Sequence, residues 1–162
     1  MLGGKEGEKM VQKISLSIQK EILDLIDERG EARSSTINRD LERLYTLYSR
    51  ALNEVEFDVD EACLITEALE TKNMTAETAH LLWAYVEDAL KHKHLSKVWN
   101  VDGSELVEKL RSLNEIQAMA VIDAVERFWT GLEKGKYRDM EKDVPKCFGL
   151  EKKSEKEKGN SD

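Results

Sequence analysis

Near its start the chain reads VQKISLSI over residues 11–18, where Ile14, Leu16 and Ile18 alternate with Lys13, Ser15 and Ser17. A period of two with β-branched residues predicts a strand with one apolar and one polar face. No second segment has this pattern, and a lone strand leaves N–H and C=O groups that are costly to bury. Pairing with the same strand of a second copy solves the problem, so the expectation is an isologous homodimer through the N-terminal strand. The period then lengthens. Ile22, Leu23, Leu25 and Ile26 share one face of a short helix that Gly30 is placed to end. Ile37, Leu41, Leu44, Tyr48 and Leu52 mark a second helix behind ARSST, with Ser34 or Ser35 as its expected N-cap.

From residue 54 every apolar pattern is helical. Asp58 or Asp60 is suited to cap a helix carrying Ala62, Ile65 and Leu69, and Thr75 one carrying Leu82, Val86 and Leu90. A short apolar turn surrounds Leu95, Val98 and Trp99. Asp102 with Glu105, and Ser112 with Glu115, have capping-box spacing before helices carrying Leu106 and Leu110, then Met119, Ile122, Val125 and Trp129. Four helices and a short one are expected here. Trp83, Trp99, Phe128 and Trp129 sit at helical apolar positions, as core or as the wall of a partner groove.

Composition agrees with helices. In 162 residues there are nine Gly and a lone Pro145, against the turn-rich make-up of an all-β chain. The expected organisation is a flexible arm at 1–10, a strand and two helices at 11–53, an acidic helical domain at 54–150 and a disordered charged tail at 151–162. Cys63 and Cys147 are too few for a disulfide framework, which suits a reducing cytoplasm. The chain has no apolar run of membrane-spanning length, so no membrane is expected among its partners.

The strand and two helices resemble the ribbon-helix-helix family of DNA-binding proteins, the Arc and MetJ type of repressor. The resemblance rests on KISLSI, Gly30, Arg33-Ser34 and Ile37-Asn38-Arg39-Asp40-Leu41; Ala32 stands where the family usually has Ser or Thr. It implies a mainly α fold, with an N-terminal ribbon-helix-helix as an intertwined dimer, followed by a small all-α domain. Two strands would form an antiparallel ribbon that enters the major groove of double-stranded DNA. Lys13, Ser15 and Ser17 would then contact bases, with Arg33, Ser34 and Ser35 contacting phosphates. The dimer core would be Ile14, Leu16, Ile18, Ile22, Ile26, Ile37, Leu41 and Leu44. Through RGEARSSTINRDLERLY, LLWAYVEDAL and VWNVDGSELVEKLRSL the chain is also similar to uncharacterised bacterial proteins with such a start and a helical extension.

The implied function is that of a sequence-specific DNA-binding protein, a homodimeric transcriptional repressor of the cytoplasm and nucleoid. The alternatives are a plasmid or phage accessory factor, and an antitoxin or adaptor whose residues 54–150 hold a protein partner or build a higher oligomer. No enzyme motif supports catalysis, and no cofactor is expected. His80, His92, His94, Cys63 and Cys147 lack metal-site spacing, so no metal is expected. Glu54, Glu56, Asp58, Asp60 and Glu61 lack the glycine of a calcium loop and read as an acidic linker.

A net charge of −8 argues against a polyanion partner until it is located along the chain. Residues 1–53 hold nine basic and nine acidic side chains, and 54–150 hold 12 basic and 20 acidic ones. The excess belongs to the second region, and the expected DNA-binding part is neutral.

Overall fold

A computed structural model describes residues 15–150 of the chain. Its start corrects the sequence-based expectation. Residues 15–19 have no regular secondary structure, and no strand occurs among the described residues, whose elements are all helical. Lys13 and Ile14 lie outside the described residues. A strand is completed by hydrogen bonds to a neighbour, and the rest of the described chain supplies helices. The expected ribbon-helix-helix is therefore overturned at its ribbon, and the class that stands is mainly α.

The chain divides into two compact units between Glu42 and Arg43. The first contains helix α1 (Lys20–Asp27) and the start of α2 (Arg33–Glu54). Gly30 ends α1 as expected: at φ +67° it occupies the left-handed region, and its N–H donates to Asp27 O at 3.1 Å. The expected cap of α2 is corrected. The helix begins at Arg33, so Ser34 and Ser35 are exposed inside its first turn, and Ala32 precedes it with no capping oxygen.

The second unit builds the core. Around the last turns of α2 it places α3 (Val59–Ala68), a 3-10 turn (Ala79–Leu81), α4 (Leu82–Lys93), α5 (Leu95–Val98), α6 (Gly103–Arg111), α7 (Glu115–Glu133) and α8 (Met140–Phe148). Helix α3 is central, with Ala62, Cys63, Leu64, Ile65, Thr66 and Ala68 all buried. Thr66 is fully buried among them, so it donates its hydroxyl back to Ala62 O at 2.8 Å. Two tryptophans lock onto this helix: Trp129 Nε1 donates to Thr66 O at 2.9 Å, and Trp99 Nε1 to Glu67 Oε2 at 2.7 Å. Phe128 is fully buried, and the half-buried Trp83 lies under the Arg111 guanidinium.

Capping boxes set two helix starts. Asp58 accepts from Glu61 N–H while Glu61 accepts from Asp58 N–H, and Asn114 and Gln117 do the same at α7. The second pair displaces the expected Ser112–Glu115 box, because Ser112 Oγ instead donates to Lys109 O at the end of α6. Asp102 caps α6 through Ser104 and Glu105 N–H. Thr75 caps no helix; it belongs to a turn with Thr78 before the 3-10 segment. The sequence gives no forewarning of α8, which contains Pro145 and ends on Gly149 at φ +73°.

Candidate nucleic-acid interface

The first unit presents a polar turn and an apolar face. At the turn, five residues separate the last position of α1 from the first of α2, and the side chains at these ends meet. Arg33 Nε donates to Asp27 Oδ1 and Nη2 to Oδ2, both at 2.9 Å. This is the two-pronged geometry in which a guanidinium holds a carboxylate or a phosphate. The Arg33 hydrogen bond holds the Asp27 carboxyl below the usual carboxylate range, and Asp27 raises the Arg33 guanidinium in turn. Arg29 pairs with Asp40 at 2.9 Å and Arg39 with Glu31 at 3.0 Å. The pairs tie α1, the turn and α2 together, and they neutralise the arginines nearest the expected phosphate contacts.

The apolar face is uncovered. Leu25 is 61% exposed, Leu16 55% and Ile22 48%, and Leu41 is exposed as well, as is Leu44 just past the unit boundary in α2. Of the expected dimer core, Ile26 is buried and Ile18 and Ile37 are half-buried within the chain. Thr36 is fully buried, and its Oγ1, like Arg39 Nε, has no hydrogen-bond partner. Ser15 and Ser17 are exposed beside Leu16. The sequence patterns located these residues, but they missed the pairing of Arg33 with Asp27, whose only signal is opposite charge across a glycine turn.

The second unit is chemically different. A cavity of about 680 Å³ is lined by Glu56, Asp58, Glu61, Asp102 and Glu105, with Lys109 as its cation. Lys109 Nζ donates to Glu56 O at 2.7 Å and to Glu61 Oε1 at 2.9 Å, so this cation is spent inside the cavity's own wall. Cys63 and Cys147 are buried, whereas His80, His92 and His94 are exposed; no metal-holding group of three or more His, Cys, Asp or Glu occurs among the described residues. Burial, reinforced by Asp60 and neighbouring carboxylates, pushes the Cys63 thiol up to about 12, far from a reactive thiolate. No helix among the described residues is long and apolar enough to cross a membrane. Set against protein-family models, curated proteins and solved structures, the chain matches none of them.

Proposed function

We propose that the chain is a homodimeric DNA-binding protein of the cytoplasm that represses transcription, with the first unit as its dimerisation and DNA-binding part. The observation that carries the reading is the uncovered apolar face of α1 and α2. Leu16, Ile22, Leu25 and Leu41 stay exposed in a unit too small to enclose a core by itself, and Leu44 follows one turn further along α2, which is the pattern a second copy would cover. Contacts to bases come from Lys13, Ser15 and Ser17, and contacts to phosphates from Arg33, Ser34 and Ser35. The acidic second unit is kept from the duplex by repulsion.

Selection of duplexes from a random library tests the reading. Enrichment of a two-fold symmetric motif is expected, and failure to enrich any motif removes the repressor role. Lys13→Ala should then cost about 1–3 kcal/mol on the selected duplex and much less on random DNA. Equal loss on both would make Lys13 a phosphate contact. A plasmid or phage accessory factor would give the same selection result but bind beside a replication or transfer origin instead of a promoter.

A second reading, a protein-binding adaptor or antitoxin, is favoured by the acidic cavity around Glu61 and Glu105. It predicts that the full chain captures a basic protein in the absence of DNA, and that Glu105→Lys abolishes the capture.

A further inference from the structure

An arginine that is to hold a phosphate should reach the duplex with its guanidinium edge open. Arg33 does not: the Nε–Nη2 edge is filled by the two carboxylate oxygens of Asp27, each at 2.9 Å. The neighbouring arginines also meet carboxylates, Arg29 Nη1 that of Asp40 and Arg39 Nη2 that of Glu31, without the two-nitrogen geometry of Arg33. Both Arg33 and Asp27 are well exposed, so a phosphate can approach the pair, and the geometry it would adopt on Arg33 is the one the carboxylate already has.

We infer that Asp27 is a built-in competitor for the phosphate site, filling the guanidinium edge of Arg33 until DNA displaces it. The inference rests on the DNA-binding reading and deepens it by naming what limits affinity. Exposed ion pairs contribute little stability, so the exchange is open to a polyanion that also releases counterions, yet each bound copy must leave a carboxylate beside the phosphates. The competition weakens binding to selected and random duplexes by the same factor. Because random sites outnumber specific ones, the consequence is fewer copies held on bulk DNA, with the ratio between the two affinities unchanged.

The test compares the full-length chain with Asp27→Asn, Arg33→Ala and the double variant, on the selected duplex and on a short duplex of random sequence, over a range of salt. Asp27→Asn should bind both duplexes about two- to fivefold more tightly per bound copy. Its salt dependence should steepen by about 0.9 for each Arg33 freed. The gain should vanish when Arg33→Ala is added. Unchanged or weaker binding by Asp27→Asn overturns the proposal and makes Asp27 a positioning residue, and so does a gain that persists without Arg33, which would be a general charge effect. Should Asp27→Asn fail to fold, as read by circular dichroism, Asp27→Ser carries the same expectations. Failure of the DNA reading has a different signature: no variant, the wild type included, shifts either duplex at low salt.

Discussion

Gly131 sits within α7 where a Cβ would collide with the ring of Tyr137. That ring is stacked on Phe128 at 5.9 Å and has little room to retreat. Alanine would gain up to about 1 kcal/mol in helix propensity, but overpacking of this kind costs about 1–3 kcal/mol, so the clash should win. Gly131→Ala is expected to lower the urea midpoint, and a higher midpoint would mean that the tyrosine swings aside. Asp143 offers a test of charge. Its buried carboxylate accepts from Arg138 N–H at 2.8 Å and Asp139 N–H at 3.1 Å, and it pairs with Lys146. These backbone bonds hold its carboxyl below the usual range. A depressed carboxyl contributes stability that is full above its unfolded value of about 3.9 and is lost as pH falls through the lower folded value. Asp143→Asn should therefore destabilise the protein at neutral pH, and its deficit against wild type should shrink in unfolding titrations carried below about pH 4. A deficit independent of pH would assign the effect to geometry instead of charge.

Among the helices, starts were legible to within a residue or two. Asp58 and Asp60 are both suited to cap α3, and the structure takes Asp58, whose box with Glu61 decides between them. Ser112–Glu115 and Asn114–Gln117 are equally good local signals two residues apart; the choice falls to the second because Ser112 is consumed by the end of α6. Asn114→Ala is thus expected to cost about 0.5–2 kcal/mol in thermal or urea unfolding, with Ser112→Ala costing less. The reverse order would restore the first box. Helix α8 tolerates its proline, since Pro145 removes a single N–H and Val144, Cys147 and Phe148 secure the helix by burial against α3 and α7. Strand periodicity over residues 11–18, of which 15–18 are described, misled: the local pattern was sound, but a strand requires a row of partners that no described segment provides. In the candidate site the residue types were legible and their pairings were not, since ion pairs across a turn leave no periodic trace.

For the molecule as a whole, the acidic excess lies in residues 54–150 around a buried helical core, while residues 1–53 are neutral and leave Leu16, Ile22, Leu25, Leu41 and Leu44 exposed; the acidic region exposes apolar side chains of its own, among them Val98 and Ile116. Ile22 and Leu44 are exposed in the single chain, and substitutions at such positions ordinarily change stability by less than about 0.5 kcal/mol. Ile22→Asp with Leu44→Asp should therefore leave the unfolding transition nearly intact, convert the proposed dimer to monomer in sedimentation velocity and abolish retention on DNA. A doubly substituted chain that still sediments as a dimer would place the interface elsewhere.

Residues 41–47 of α2 are exposed at every position, a full turn and more of helix with no buried side chain. Such a stretch gains little from burial, and helical segments with so little buried surface open readily. Amide hydrogens there should exchange quickly in dilute protein and slowly once a second copy covers Leu41 and Leu44. The same opening exposes a cleavable peptide to cellular proteases. The lifetime of the protein would then rise with its own abundance, so that scarce copies are cleared and a population large enough to pair endures.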